Sequence, residues 1–178
     1  HTAINNCLNA ISKRVQDKSK VVKIGNKPQN KEISNNPNIT IKSSLAYPTY
    51  KSSIELNQNG IAIGATPYSV CYDATKKLRF WEFDVCIVDE ASQLSIPLSL
   101  AAMSRSCKYI FVGDHKQLDP IVPKGTAIEM FSESIFSRLA RIYPNDINLL
   151  STSYRLNTPL IEVPNNLFYD NKLKSSET

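Results

Sequence analysis

Residues 85–93 read VCIVDEASQ, an apolar run that ends abruptly in two adjacent acids. A short and almost wholly apolar strand is typical of a parallel sheet that is covered on both faces. Ligands of such sheets bind just beyond the carboxyl ends of the strands, where Asp89 and Glu90 would lie. One carboxylate there can hold Mg²⁺ on a nucleotide, and the second can polarise an attacking water. The alternative is that both acids only favour the start of the next helix.

Further apolar runs on either side of this stretch alternate with helical patterns, which is typical of an α/β fold with a parallel sheet. With 178 residues, of which 42% are hydrophobic, the chain can build one compact core, or one domain and part of another. The predicted strands are 21–24, 61–65, 83–88, 108–112 and 147–150, and the predicted helices are 3–14, 97–104, 126–142 and 158–169, the last disturbed at Pro164.

The stretch from 25 to 59 is polar, rich in Asn, Ser, Lys and Pro, and shows little apolar periodicity. We interpret it as an exposed insertion or long loop with one helix near 49–57. Because it offers few apolar groups, we expect it to add little to the core and to be the least ordered part of the chain. A deletion such as 27–52 should then leave folding intact.

Basic residues are concentrated at the N-terminal end. Residues 1–31 hold seven basic side chains and one acid, whereas the whole chain carries a formal net charge of +5, so the rest is close to neutral. This asymmetry indicates a polyanion near the N-terminal segment, the alternative being an ordinary solvated face.

Composition also restricts the class of protein. The longest apolar runs are a handful of residues, far short of the roughly 20 that a membrane span needs, and no secretory signal is visible. The four cysteines, at 7, 71, 86 and 107, form no CxxC pair, and the two histidines complete no zinc spacing. We therefore expect free, mostly buried thiols in a reducing intracellular compartment, cytoplasmic or nuclear.

A second strand end carries polar residues. Residues 113–120, GDHKQLDP, follow the predicted strand after that of Asp89. Gly113 permits an unusual backbone conformation, and Asp114 and Gln117 would project from the end of a strand that neighbours the Asp89 strand. Because a glutamine amide both donates and accepts hydrogen bonds, Gln117 can sense a terminal phosphate. The alternative is an ordinary turn, since Gly-Asp and Asp-Pro favour turns.

A third feature is the tripeptide Ser153-Tyr154-Arg155, which precedes the last predicted helix. An arginine at the start of a new α/β unit can reach across a cleft to a γ-phosphate, an interaction worth about 10³–10⁵ in rate. A lone arginine is more often a surface residue, and only the other two features favour the functional interpretation of Arg155.

Four segments together closely resemble the superfamily 1 helicases. DEAS at 89–92, GDHKQLDP at 113–120, YR at 154–155 and PNNLFY at 164–169 follow one another as in that family. The resemblance is greatest to the 5′-to-3′ branch that includes senataxin-like and nonsense-mediated-decay helicases. It covers nearly the whole chain except 25–59.

The family's motifs fall on this sequence with two departures. Residues 1–8 resemble motif Ia, with Asn5 where an Asp is common. Residues 154–156 match the core of motif IV, with Ser153 where a Gln is usual, so one hydrogen bond of the family pattern is in question while the arginine is present. The other matches are motif Ic at 64–67, motif II at 89–92 and motif III at 113–120.

The resemblance implies a RecA-like P-loop NTPase fold and an ATP-dependent helicase or translocase that moves on single-stranded DNA or RNA. Its cofactors would be ATP and Mg²⁺. Single-stranded nucleic acid, held through its phosphates, would be its partner. By the family's pattern, Asp89 helps hold Mg²⁺, Glu90 activates water, Gln117 senses the γ-phosphate and Arg155 stabilises the developing charge, whereas His1, Thr2, Thr66 and Pro67 lie near the single strand.

One family motif has no match here. None of the five glycines is followed by Lys, so the sequence contains no phosphate loop GxxxxGK[ST]. By the resemblance, the chain is a middle slice of a helicase. Residues 1–145 would be a first RecA-like domain without its phosphate-loop strand and helix, and 146–178 the start of a second. We expect such a slice to be inactive towards ATP by itself.

Two other functions stay open at this point. The chain can belong to a module that binds nucleic acid or a protein without hydrolysing ATP, which the missing phosphate loop favours. It can also belong to a phosphate-loop NTPase whose mechanical work does not involve nucleic acid, although the matches to motifs Ia and Ic speak against this. A phosphate loop upstream of His1 in the full protein would favour the enzyme.

Overall fold

The computed structural model describes residues 2–15, 21–25, 33, 35–42, 60–74, 82–121 and 132–176. Four predictions fall outside these residues in whole or in part. They are the placement of His1, the exposed insertion 25–59 except for residues 25, 33 and 35–42, the helix near 49–57, and the first residues, 126–131, of the predicted helix 126–142.

Within the described residues the chain is mixed α/β. Each pair of strands that forms a sheet is parallel, which confirms the predicted fold class. The helices are α1 (Thr2–Ser12), α2 (Pro67–Ala74), α3 (Ile96–Met103), α4 (Ile135–Ile142) and α5 (Thr158–Phe168), with 3-10 helices at Ala91–Gln93 and Pro144–Asp146. The strands are β1 (Val21–Ile24), β2 (Thr40–Lys42), β3 (Ala62–Gly64), β4 (Cys86–Val88), β5 (Tyr109–Phe111), β6 (Thr152–Ser153) and β7 (Lys174–Ser175).

Strand β1 is the centre of a three-stranded sheet in the order β2-β1-β3. All four of its residues are buried, as expected for a parallel strand covered on both faces. Side chains alternate between the faces. Val21 packs with Leu8 of α1, whereas Val22 and Ile24 pack in a separate cluster that Phe83 joins.

The polar stretch 25–59 contributes to this core. Thr40–Lys42 forms the strand β2 beside β1, and Ile33 and Ile39 are buried against α1 and β1. The expectation that the stretch adds little to the core is therefore wrong for residues 33 and 35–42, and a deletion such as 27–52 would remove core residues instead of leaving folding intact. A few isolated apolar side chains and three residues of strand are enough to build a sheet edge, and they leave no periodic signal in the sequence.

Replacing Ile33 with Ala should lower the free energy of unfolding by about 2–4 kcal/mol, since the cavity left by a buried aliphatic side chain costs this much. Ile33 is 2% exposed and Ile121 is 99% exposed. Ile121→Ala is therefore the matched control, expected within about 0.5 kcal/mol of the parent. Urea unfolding measures both variants. Equal stability of the two would show that residue 33 lies outside the core.

Strands β4 and β5 form a second parallel pair, with Cys86 opposite Tyr109 and Val88 opposite Phe111. Helix α3 lies between them in sequence and packs on β4. Because the strands are parallel, their carboxyl ends lie at one edge of the pair, and the two polar sequences after them meet there. Strands β6 and β7 form a third parallel pair, connected through α5.

Two predicted elements have different limits in the structure. Residues 147–150 form no strand, and the strand lies at Thr152–Ser153, where pairing with β7 provides the hydrogen bonds. Residues 132–134, inside the predicted helix 126–142, are not helical. There Ser134 caps α4, its Oγ accepting from the Ser137 N–H at 3.0 Å. Helix α5 is confirmed with Pro164 inside it, and α2 was not predicted.

Candidate functional site

The turn after β4 carries two exposed acids, Asp89 and Glu90. Glu90 has a left-handed backbone, φ 53° and ψ 42°, which costs a non-glycine residue about 1–3 kcal/mol, and strain of this kind clusters at functional sites. Asp89 Oδ1 accepts from the Glu90 N–H at 3.0 Å, and Glu90 Oε2 accepts from Gln93 Nε2 at 3.3 Å. The turn thus fixes both carboxylates at the strand end, on the solvent side.

The loop after β5 packs directly on this turn. The Val112 N–H donates to the Val88 carbonyl at 2.8 Å, and the Ala91 N–H donates to the Val112 carbonyl at 3.0 Å. A Cβ on Gly113 would lie 3.1 Å from the Ala91 nitrogen and 3.2 Å from that of Ser92. Gly113 is therefore needed for close approach of two backbones. The φ of Gly113 is not positive, so the left-handed backbone that a glycine permits is not used here.

Asp114 organises the loop after β5. Its Oδ1 accepts from the Lys116 N–H at 3.0 Å, and its Oδ2 accepts from Gln117 Nε2 at 2.7 Å. The same Oδ2 also accepts a hydrogen bond from the Tyr169 hydroxyl. Burial opposes ionisation of Asp114, but the hydrogen bonds from Tyr169, Lys116 and Gln117 outweigh it and hold the pKa of the carboxyl below its ordinary value.

Tyr169 was not among the predicted site residues, although it ends the PNNLFY segment. Burial, followed by the hydrogen bond to the Asp114 carboxylate and its negative charge, raises the pKa of Tyr169 to about 12. The phenol therefore stays protonated at neutral pH and donates to an ionised carboxylate. Sequence spacing gives no hint of this contact, because 55 residues separate the two partners.

Helix α4 supports the same loop from another side. The ring of Phe136 meets the imidazole of His115 edge to face, with centroids 6.1 Å apart. The helix also packs against the 3-10 turn Ala91–Gln93, and Ser134 and Ser95 form an antiparallel bridge at its start. The loops after β4 and β5 are thus held by each other and by α4.

Arg155 lies in the turn between β6 and α5, with its side chain exposed. The Ser153 hydroxyl oxygen accepts from the backbone N–H groups of Arg155 at 3.3 Å and Leu156 at 3.1 Å. Ser153, where the family usually has Gln, thus shapes the turn through the backbone. Among the residues that the structure describes, the Arg155 guanidinium forms no ion pair, so it does not contact Asp89 or Glu90.

The segments that resemble motifs Ia and Ic lie side by side. A Cβ on Gly64 of β3 would lie 2.7 Å from Leu8 Cδ1 and 2.8 Å from Ile4 Cγ2 of α1, so only glycine lets this helix and strand approach so closely. Thr66 then caps α2, its Oγ1 accepting from the Ser69 N–H at 3.1 Å. Pro67 is the first residue of α2, a favoured place for proline. Thr2, at the start of α1, is exposed.

The basic N-terminal segment divides into exposed and buried parts. Lys13 and Arg14 are exposed at the end of α1, and Arg14 Nη1 donates to the Ala10 carbonyl at 3.2 Å. Lys23 of β1 is buried, and burial lowers the pKa of its amine. The exposed pair follows the C-terminal end of the helix that begins at Thr2, whereas Lys23 belongs to the core and is no part of a solvated face.

The three cysteines whose side chains the structure describes are free. Cys7 and Cys107 are exposed and Cys86 is half-buried, so the expectation of mostly buried thiols is wrong for them. Burial raises the pKa of the Cys86 thiol, whose Sγ lies 3.6 Å from the Ala102 carbonyl. Among the described helices, none has both the length and the apolarity needed to cross a bilayer.

Asp89 and Glu90 fit a Mg²⁺–nucleotide role better than a closed metal site. Within the described ranges, no three His, Cys, Asp or Glu side chains lie close enough together to hold a metal ion. Mg²⁺ at nucleotide sites needs only one or two carboxylates, together with phosphate oxygens and waters. The two exposed carboxylates at one strand end meet that requirement.

Comparison with known protein families gives two matches. A family model described as AAA domain matches residues 1–124, and a second model with the same description matches residues 131–178. Together they cover the sequences of both strand-end loops and of the turn that carries Arg155.

Curated relatives carry helicase names. An uncharacterized ATP-dependent helicase of Methanocaldococcus jannaschii is 42% identical over 101 residues, which are 57% of this chain and 15% of the relative. The DNA replication ATP-dependent helicase/nuclease DNA2 of Saccharomyces cerevisiae is 35% identical over 133 residues, 74% of this chain and 8% of the relative. Its namesake in Homo sapiens is 41% identical over 93 residues, 52% of this chain and 9% of the relative. The chain therefore spans only a small part of the length of these relatives.

Proposed function

This chain belongs to the superfamily 1 helicases, with a RecA-like α/β fold, and from that premise we propose that the protein carrying it couples ATP hydrolysis to movement on single-stranded DNA or RNA. The observation that carries the proposal is the backbone contact between the turn after β4 and the loop after β5, closed at Gly113. It brings the segments of motifs II and III to one edge of a parallel pair, where sheets of this kind bind ligands.

At this edge each side chain has a distinct role in the proposal. Asp89 helps hold Mg²⁺ on the nucleotide, and Glu90 takes a proton from the attacking water. Gln117 already offers one amide N–H to Asp114, and because an amide both donates and accepts, it can turn towards the terminal phosphate and the water. Bound ATP with its metal supplies the reactive phosphoanhydride, while these residues orient it. Arg155 meets the developing charge when its segment closes on the site.

The nucleic-acid surface proposed here is formed by α1, β3 and the start of α2. Their close packing at Gly64 supports a shared surface for Thr2, Thr66 and Pro67, to which His1 belongs by sequence. Lys13 and Arg14 are exposed at the end of the helix that Thr2 begins and add positive charge. Contacts of this kind go to the phosphate backbone, so binding should be independent of sequence and should weaken with salt.

Thr66→Ala should weaken binding of single-stranded nucleic acid about 3–10-fold, the effect of one lost hydrogen bond, and leave basal ATP hydrolysis little changed. The substitution also removes the cap of α2, so Thr66→Ser is the matched control, because it keeps a capping hydroxyl. Fluorescence anisotropy with a labelled oligonucleotide at fixed salt measures both. Parental affinity of Thr66→Ala would exclude this residue from the surface.

We propose that residues 1–145 form most of the first RecA-like domain and that 146–178 begin the second. Packing of α4 on the Ala91–Gln93 turn and on His115 supports grouping α4 with the first unit. The separate β6–β7 pair with α5 supports a second unit that starts near 146. In this arrangement Asp89, Glu90 and Gln117 come from one unit and Arg155 from the other.

The second candidate function is a module that binds nucleic acid or protein without hydrolysis. It would follow if the full-length protein has no phosphate loop, and residues 1–178, which contain no GxxxxGK[ST], should not turn over ATP by themselves. The deciding experiment is the ATPase rate of the full-length protein with and without single-stranded DNA and RNA. Stimulated hydrolysis supports the helicase. Tight nucleic-acid binding without hydrolysis would favour the module.

A further inference from the structure

One contact joins the loop after β5 to the segment after α5. The Tyr169 hydroxyl donates to Asp114 Oδ2, the same oxygen that accepts from Gln117 Nε2 at 2.7 Å. The proposed phosphate-sensing amide and a tyrosine 55 positions from Asp114 thus share one carboxylate oxygen. Neither the residue roles that the family resemblance implies nor those proposed for the site include Tyr169.

Tyr169 lies in a turn that is stabilised by hydrogen bonds to Asn165. The Asn165 carbonyl accepts from the backbone N–H groups of both Tyr169 and Asn171, each at 3.1 Å. The Asn165 side chain accepts from the Leu173 N–H at 2.8 Å and donates to the Leu173 carbonyl at 3.0 Å. Asp170 and Asn171 have left-handed backbones, φ 51° and 59°, which close the turn. The phenol therefore has a fixed position relative to strand β7, which begins directly after this turn.

Strand β7 pairs with the segment that leads to Arg155. The Lys174 N–H donates to the Ser151 carbonyl at 2.7 Å and the Ser176 N–H to the Ser153 carbonyl at 2.8 Å. The Ser175 hydroxyl donates to the Leu156 carbonyl at 2.9 Å, and Ser153 shapes the Arg155 turn. A connected set of hydrogen bonds and short backbone links thus runs from Gln117 through Tyr169 to the backbone beside Arg155.

We propose that Tyr169 is a positioning residue that couples the Gln117 loop to the Arg155 turn, so that occupation of the nucleotide site is transmitted between the two units. The inference rests on the proposed helicase function. When Gln117 turns its amide towards a phosphate, Asp114 loses one donor. The Tyr169 hydroxyl and the Lys116 N–H keep the carboxylate hydrogen-bonded. The loop after β5 therefore keeps its position relative to the second unit while the Gln117 side chain moves.

The protonation states of Asp114 and Tyr169 favour the hydrogen bond between them at neutral pH. The pKa of Asp114 lies below its ordinary value and that of Tyr169 is raised to about 12. The carboxylate is therefore charged and the phenol protonated over the whole neutral range. A hydrogen bond between a neutral donor and a charged acceptor is among the stronger ones in proteins, so its loss should be measurable.

The test uses the full-length protein and its ATPase activity stimulated by single-stranded nucleic acid. Tyr169→Phe keeps the ring and removes the hydroxyl. We expect kcat of the stimulated reaction to fall about tenfold, with KM for ATP changed less than about twofold, because the bond positions groups and binds no substrate. Tyr143→Phe removes a hydroxyl from a tyrosine that is 55% exposed, and should match the parent.

A double-mutant cycle separates coupling from plain loss of stability. In the Asp114→Asn background, Tyr169→Phe should change kcat by less than about twofold, since the charged acceptor is already gone. A uniform fall in kcat for every combination, tracking the urea midpoint, would reduce Tyr169 to a structural role and overturn the inference. If Tyr169→Phe has the parental kcat while Glu90→Gln abolishes ATPase activity, the role of Tyr169 is overturned and the proposed helicase function stands. Absence of ATPase from the parent overturns the proposed function with it.

Discussion

Glu90→Gln is expected to lower the ATP turnover of the full-length protein by about 10² or more, the usual effect of losing a general base. The amide has nearly the shape of the carboxylate, and its oxygen can still accept from Gln93, so the turn after β4 keeps its geometry. The substitution removes the carboxylate that we propose takes the proton from water. Nucleotide binding should survive, because Asp89, the residue proposed to help hold Mg²⁺, is untouched.

The measurement is steady-state hydrolysis together with the affinity for a fluorescent nucleotide, each with and without single-stranded nucleic acid. Glu82→Gln is the matched control. Glu82 is an exposed acid that precedes strand β4 in the sequence and lies outside the turn after that strand. It should hydrolyse ATP at the parental rate. If Glu90→Gln does so too, the assignment of motif II is wrong and the binding module becomes the better function.

The sequence predicted those parts of the fold in which one segment carries its own signal. Short, nearly continuous apolar runs indicate the strands β1, β4 and β5. The recurrence of Ile4, Cys7, Leu8 and Ile11 at helical spacing indicates α1, although Cys7 is exposed in the structure. The two strand-end loops are predicted to lie on neighbouring strands, and in the structure their backbones are in close contact at Gly113. These are local patterns combined with one rule of sheet topology.

The features that were missed depend on partners distant in sequence. Ile33 and β2 are core only because α1 and β1 lie beside them. The strand expected at 147–150 lies at Thr152–Ser153 because β7 provides its hydrogen bonds there. The Asp114–Tyr169 contact has no spacing rule at all. Burial and pairing of this kind arise from tertiary contacts, which a polar or weakly periodic stretch does not indicate.

Arg155→Ala is expected to lower stimulated ATP turnover by about 10³ or more, in the range known for arginines that meet a transferring phosphoryl group. The Arg155 side chain is exposed, and the turn around it is held by the Ser153 hydroxyl through backbone N–H groups. Alanine keeps those N–H groups, so the turn should persist. The loss should therefore appear in kcat, with nucleotide affinity changed only a few-fold.

Two further variants make the test specific for a guanidinium. Arg155→Lys keeps the charge but not the planar pair of donors, and it should recover only a small part of the rate. Arg141→Ala removes an exposed arginine whose Nη1 lies 2.9 Å from Glu133, a surface pair of little energetic weight, and should leave turnover unchanged. Full rescue by lysine would show that only a positive charge is needed there. Parental turnover of Arg155→Ala would mean that the side chain never closes on the nucleotide. The edge formed by Asp89, Glu90 and Gln117 would then have to work with charge supplied from elsewhere.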